Sequence, residues 1–441
     1  MSSLMGSEIS GASVEDQKRR LEGLKNEKGR LSHLVGEARK AGKDADVWLS
    51  GLREVSREVK ALQKLIKKQL NDGQTDRKWV PEPITPYPSI SDSSLGKSVK
   101  VIPCTGALEG KAEAYVGQHP GASVWHRPRV TSFVEQTYGH QVRYLCAVTD
   151  DGALVGILPV VQLRSRLFGN FMVSMPFFNY GGLLADSAEI ARELISAADQ
   201  WRQEEGATHL ELRFLQNNEL GLPQRTDKVT FWLSLPAQSE PLWNSFKPKI
   251  RAQIRRGERE LSSFSIGGSE LLDEFYRVFS VNMRDLGTPV YSRGFFRNLL
   301  ACLDGQAWLV VARINGRAAG CAFLTGYRDR MEIPWASTLK RYSHTGINMI
   351  MYWKILEFAV EQKFSVFDFG RCTEHAGTYR FKQQWGAHPI ALYWDYVLPN
   401  DKRLPELNPN NPKFRLLIAA WRKLPVWVAN RLGPRIVRVL P

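Results

Sequence analysis

The stretch FDFGRCTEHAGTYRFKQQWG, residues 367 to 386, concentrates side chains that could do chemistry. Asp368, Arg371, Glu374 and His375 follow the short run SVFDFG, which reads as a strand, and strand ends are where α/β folds bind ligands. Asp368, Glu374 or His375 could each take up a proton, and the residues alone do not choose among them. Lys382 follows in Phe381-Lys382-Gln383-Gln384-Trp385-Gly386. Its ammonium is a point charge suited to phosphate, although a surface lysine on a short amphipathic helix has the same pattern. A second group is Ser343-His344-Thr345-Gly346-Ile347-Asn348, a loop that leads into a helix pattern. Backbone N–H groups at such a helix start can hold phosphate, or the segment is an ordinary turn. A third group is basic: Lys247, Lys249, Arg251, Arg255, Arg256 and Arg259 lie on one helical stretch with few acids. Lys247, Arg251 and Arg255 are spaced by four and share a face, which is either a phosphate-binding face or a solvated one. Asn179 and Tyr180, in MPFFNYGGLL, are polar contacts for an acceptor cleft or parts of a buried bend.

The elements that position these groups recur. VRYLCAVT-DDG-ALVGILPVVQL (142–163) reads as a hairpin with an Asp-Gly turn, followed by a helix pattern ending at Gly206 and the strand THLELRFL. AWLVVARI-NG-RAAGCAFLTGY (307–327) is a second hairpin, with an Asn-Gly turn. The strand MEIPWAST, the helix GINMIMYWKILEFAVEQ and the strand SVFDFG then follow. Two copies of one order imply a duplicated α/β (α+β) core with a cleft between lobes at 98–236 and 237–400, the second carrying the donor site.

Ahead of this core, Val14, Leu21, Leu24, Leu31, Val35 and Ala38, then Trp48, Leu52, Val55, Val59, Leu62 and Ile66, alternate by three and four. Such spacing predicts two helices with an apolar seam, joined at Gly42, as an antiparallel coiled-coil hairpin over 12–72. It could serve dimerisation. A Pro-, Ser- and Gly-rich linker at 73–97 has no periodicity. At the other end, 410–441 has no acidic residue after Lys413 and interleaves Arg with Trp, Leu and Val. It reads as a basic amphipathic membrane-surface tail, or as a segment packed back on the core.

Composition agrees with a globular enzyme that meets anions. The 441 residues are 43% hydrophobic and carry a formal charge of +15, which favours nucleic acid, anionic lipid or phosphate-bearing partners. Five scattered cysteines with no CxxC pair give no zinc site and no disulfide framework, so no metal is expected. No apolar run is long enough for a spanning helix and no signal peptide is read. The expected location is cytoplasmic, peripheral at the inner face of the cytoplasmic membrane.

Three stretches, FKPKIRAQIRRGERE (246–260), YSHTGINMIMYWKILEFA (342–359) and FDFGRCTEHAGTYRFKQQWG (367–386), in the order above, resemble the doubled GNAT N-acyltransferase fold of FemAB-like proteins. Among these, the chain looks most like those that accompany the PEP-CTERM/exosortase system of exopolysaccharide-producing Gram-negative bacteria. KGRLSHLVGEARKAGKDAD (28–46) resembles the tRNA-binding arm of seryl-tRNA synthetases, which some Fem proteins carry within the chain. The resemblance implies transfer of an aminoacyl group from aminoacyl-tRNA to an amine of a cell-envelope, peptidoglycan or exopolysaccharide precursor, with no cofactor held permanently. It implies that Lys382 contacts donor phosphates and that Phe381 packs beside the donor end. The donor side would also include Ser343, His344, Gly346, Asn348 and Arg371. The arm would hold tRNA through residues such as Lys18, Arg19, Arg20, Lys25, Arg39, Lys40, Lys43 and Lys60. The loop at 343–348 departs from the Gln/Arg-x-x-Gly-x-Gly/Ala signature of acetyl-CoA-using relatives, since it has one glycine. Two rival readings remain: an acyl-CoA-dependent acyltransferase of exopolysaccharide synthesis, and a non-catalytic assembly protein on the same fold.

Overall fold

The structure is a computed structural model that describes residues 14–42, 44–72, 79–85, 98–166, 168–374, 376–399, 404–405 and 412–440. It divides into two compact units, Met1–Trp79 and Val80–Pro441.

The first unit is the expected hairpin of α1 (Val14–Lys40) and α2 (Asp46–Asp72). Val35, Ala38, Val59, Leu62 and Ile66 are buried, so the predicted seam is occupied within the hairpin. Gly42 turns the chain at φ +66°, a left-handed conformation that glycine adopts without steric cost. The Asp44 carboxylate accepts from the Asp46 backbone N–H at 2.9 Å, which starts α2. Lys18, Arg19, Arg20, Lys25, Arg39 and Lys60 are exposed.

The second unit is built on one mixed sheet. Its first half contains β1 (Val99–Pro103), α3 (Ala107–Gln118), α4 (Pro128–Tyr138), β2 (Val142–Thr149), β3 (Leu154–Ser165), β4 (Gly169–Val173), β5 (Leu184–Ala185), α5 (Ala188–Glu204), β6 (Leu210–Phe214) and β7 (Gln224–Ser234). Next come α6 (Ser239–Ser245), α7 (Pro248–Glu260), β8 (Ser263–Gly267), α8 (Leu272–Leu286), α9 (Arg293–Cys302), β9 (Ala307–Ile314), β10 (Arg317–Tyr327) and β11 (Arg330–Thr338). The half closes with α10 (Ile347–Glu361), β12 (Val366–Asp368), β13 (Cys372–Thr373), α11 (Gly377–Gln383) and β14 (His388–Val397). Both predicted hairpins form. In the second, Asn315 and Gly316 have φ of 50° and 71°, the paired positive values that an Asn-Gly hairpin turn requires.

The strands run in the order β1-β2-β3-β4-β6-β14-β7-β12-β11-β10-β9-β8. The two halves therefore exchange edges: β14, late in the chain, inserts between β6 and β7, and β7 pairs with β12 of the second half. This exchange knits the repeats into one sheet. A core of Phe275, Phe295, Phe296, Phe323 and Trp335 packs edge to face, with ring centroids 4.8 to 6.4 Å apart. Such pairs add about 0.5–1.5 kcal/mol each beyond their area burial.

Part of the Pro-rich segment lies on this unit: Ser234 Oγ accepts from the Glu82 N–H at 2.9 Å. The basic tail forms α12 (Pro412–Trp421) and α13 (Val426–Val437), and it packs back on the core. A Cβ at Gly433 would meet the Val290 backbone nitrogen at 2.7 Å, so α13 sits at backbone distance from the chain after α8. Arg284 Nη1 donates to the Leu424 carbonyl at 2.7 Å and Arg422 Nη2 to that of Leu286 at 3.2 Å. Trp427 and Leu417 nonetheless stay 71% and 64% exposed. Among the described residues no helix is long and apolar enough to cross a membrane.

Candidate active site

Strands β11 and β12 run parallel for three residue pairs only, of which Glu332 with Asp368 is the last. Beyond it β11 continues along β10 to Thr338, while the chain after β12 turns away at Gly370. Gly370 has φ +73°, and a Cβ there would meet the Ile333 carbonyl at 2.9 Å, so any other residue would push the two chains apart at this fork. Both carboxylates stand at the base of the fork.

Asp368 is fully buried and accepts four hydrogen bonds. Tyr180 O–H and Trp232 Nε1–H donate to Oδ2 at 2.8 and 2.9 Å, and the Thr230 hydroxyl and the Gly370 N–H donate to Oδ1. Four donors fill the four lone-pair positions of a carboxylate. Asp368 is thus committed to holding β7, Tyr180 and the fork together, and this corrects its reading as a free proton acceptor.

Glu332 is different. Its Oε1 accepts from Asn179 Nδ2 at 2.7 Å and its Oε2 from Trp125 Nε1 at 2.8 Å, with the Tyr180 hydroxyl 3.4 Å from Oε2. Burial, and then the neighbouring Asp368 carboxylate, push its pKa up to about 7. It is the group in this cluster best poised to exchange a proton near neutrality. Sequence reasoning missed it. The available signal was a lone acid inside the otherwise apolar strand MEIPW, where burial without a partner would be costly.

Lys382, on α11, is 6% exposed and donates to the carbonyls of Gly370 and, at 3.1 Å, Arg371. Burial lowers its pKa to about 8, against the pull of Cys372 and Asp368. It is not a surface lysine: its ammonium is fixed against the outer lip of the fork. Phe381 beside it is half-buried and packs edge-on to Tyr352 at 5.0 Å. Arg371 is half-buried with its guanidinium over the Trp394 ring.

The structure brings Asn179, Tyr180, Asp368, Arg371, Phe381 and Lys382 to this fork. Tyr180 and Asn179 act inside the carboxylate network rather than as surface contacts of an acceptor cleft. Glu374 is exposed beyond β13, outside the buried network, and His375 lies outside the described residues.

The loop at 343–348 flanks the fork, since Gln384 Nε2 at the end of α11 reaches Met349 Sδ of α10 at 3.7 Å. Its helix start is engaged already. The Ile347 N–H goes to Thr345 Oγ1, and those of Met349 and Ile350 go to the Gly346 carbonyl. Gly346 and Gly257 are pressed together, with a Cβ at Gly257 falling 2.6 Å from the Gly346 carbonyl. Ser343 and His344 are exposed and Asn348 is half-buried. On α7, Ile250, Ile254 and Gly257 face inward, while Lys247, Lys249 and Arg255 are exposed and Arg251 is half-buried. Arg255 stacks over Trp243 at 5.5 Å.

Residues 245–383 match the acetyltransferase (GNAT) domain family. Among solved structures, FemX is 14% identical over 72% of this chain and all of its own, with a TM-score of 0.52. A tandem GNAT protein from the clavulanic acid biosynthesis pathway is 13% identical over 69% of this chain and all of its own, at a TM-score of 0.45. L-PGS from Bacillus licheniformis is 14% identical over 74% of this chain and 97% of its own, at 0.44. No curated protein matches.

Replacing Asp368 by alanine should strand the Thr230, Trp232, Tyr180 and Gly370 donors and destabilise the protein by about 3 kcal/mol or more. Asp368→Asn, which keeps the shape, should cost less, and chemical denaturation of both variants reads the difference. The chain carries a GNAT-type acyltransferase domain, and its fold is similar to that of FemX.

Proposed function

We propose that the protein transfers an aminoacyl group from aminoacyl-tRNA to an amine of a cell-envelope or exopolysaccharide precursor, working at the fork between β11 and β12. The observation that carries the chemistry is Glu332, a buried carboxylate with its pKa near 7, beside the fixed ammonium of Lys382. An attacking amine must lose a proton, and the carbonyl it attacks gains negative charge. Glu332 accepts the proton. The Tyr180 hydroxyl, 2.8 Å from Asp368 and 3.4 Å from Glu332, orients it. Lys382 offsets negative charge on the donor side. The aminoacyl-tRNA donor is supported by the basic hairpin arm, whose apolar seam is satisfied within the hairpin and whose Lys and Arg are exposed to solvent. It is also supported by the loop at 343–348, which has one glycine and leads into a helix start whose Ile347, Met349 and Ile350 N–H groups are engaged. The second reading is a thioester donor: GNAT-fold enzymes use acyl-CoA, and the domain match favours that reading. In either case no cofactor need stay bound. We also propose that the tail meets the inner membrane surface, because Trp427 and Leu417 are exposed on it, as is Arg431.

Three measurements test these assignments. Transfer activity should rise as Glu332 loses its proton near pH 7 and fall as Lys382 loses its charge above about 8, giving a narrow bell. Glu332→Gln should erase the acid limb and lower kcat by about 10²–10⁴-fold, and a retained limb would reject Glu332 as the proton acceptor. Binding of total tRNA should fall steeply with salt and drop sharply when residues 1 to 75 are removed. Binding indifferent to the arm would turn the assignment to acyl-CoA. Trp427→Asp with Leu417→Asp should reduce co-sedimentation with anionic lipid vesicles, and undiminished sedimentation would reject the tail as the membrane contact.

A further inference from the structure

Three buried hydrogen-bond donors around Trp394 have no acceptor. Arg213, on β6, is 1% exposed; its Nε donates to Glu211 at 2.8 Å and its Nη1 to the Phe178 carbonyl at 2.9 Å, while its Nη2 has no partner. Arg371 Nη1 and Trp394 Nε1 are likewise buried without partners. The three belong together. Trp394 pairs directly across strands with Arg213, whose guanidinium lies 4.5 Å from the centroid of the indole. The Arg371 guanidinium lies 4.9 Å from the same ring.

Glu211 is engaged by Arg213 and by the Tyr396 hydroxyl at 2.7 Å. Burial opposes its ionisation, but the Arg213 charge and these bonds hold its pKa below the usual carboxylate value. Burial, followed by the Arg213 charge, lowers the pKa of Arg371 to about 10, against the pull of Glu211 and Asp227. Two guanidiniums over one indole, each with a buried N–H lacking a partner, together with the unpartnered indole N–H, call for an oxyanion acceptor.

We propose that Arg213, Arg371 and Trp394 form a binding site for an oxyanion, a carboxylate or a phosphate, carried by the acceptor substrate. Arg213 and Trp394 stand on β6 and β14, which β7 separates from the fork strands β12 and β11 in the strand order. Arg371 links the two sides, because its own carbonyl receives the Lys382 ammonium. The assignment to the acceptor rests on the transferase reading; the oxyanion site itself does not.

The test is binding of sodium acetate, inorganic phosphate and pyrophosphate to the full chain, followed by calorimetry and by ligand-induced thermal shift. Saturable binding is expected for at least one, and the better of acetate and phosphate identifies the group. Arg371→Gln should weaken it by at least about tenfold, the loss of one charge-assisted hydrogen bond, and Trp394→Phe should weaken it while keeping the stacked ring. Both variants should melt as the parent does without ligand, which separates lost binding from lost folding. No saturable binding by the parent, or unchanged affinity in Arg371→Gln, overturns the proposal. Anion binding that survives in a chain with no transfer activity to any amine would refute the transferase reading and leave the site standing.

Discussion

The arrangement depends on one buried carboxylate with every lone pair in use. Asp368 gathers Thr230 and Trp232 from β7, Tyr180 from the segment after β4, and the Gly370 N–H that starts the fork. A buried charge is tolerable only when its hydrogen-bonding positions are filled, so these four groups can hold one arrangement and no other. That arrangement fixes where β12 ends, and hence where the strands part. Burial, and then the Asp368 carboxylate held beside it, raise the affinity of Glu332 for a proton.

The electrostatics divide one pair of carboxylates into two roles. Asp368, saturated with donors, is structural. Glu332 accepts from Asn179 and Trp125 at direct range and from Tyr180 at long range, and burial with the Asp368 charge gives it a proton-exchanging character near pH 7. Lys382 sits on the other side of the balance. Burial weakens its hold on a proton, while two backbone carbonyls and the nearby carboxylates keep the ammonium in place. The strand exchange matters here, because β7 reaches β12 on one side and β14 on the other. Residues from both halves of the duplication thereby meet in one site.

The two ends of the chain use basic charge differently. In the arm the apolar seam is internal, which leaves exposed cations. In the tail the inward residues dock on α8 and its following loop, while an indole and a leucine face outward. The arm thus presents charge alone, and the tail charge with apolar area.

Much of this was determined by the sequence alone. Period-two runs, the Asn315-Gly316 turn and the three-four spacing of the arm are local signals, so hairpins, helices and the duplicated order were legible without coordinates. The sequence also singled out Lys382, Asp368, Tyr180 and Asn179, whose types and contexts are unusual. Tertiary structure alone decided their roles. Glu332 and Asp368 are adjacent only because parallel strands bring together residues far apart in the chain, and no local pattern reports such pairing. The donors that saturate Asp368 come from three separate segments, so its commitment could not be read from its own neighbourhood. The same holds for Arg213 and Arg371, which meet over Trp394 because β14 threads between strands of the other half. Packing of Gly346 against Gly257 likewise makes the start of α10 a close helix contact, which its own sequence does not report. Local chemistry is written along the chain, whereas desolvation and charge coupling depend on distances in space that only the folded chain sets.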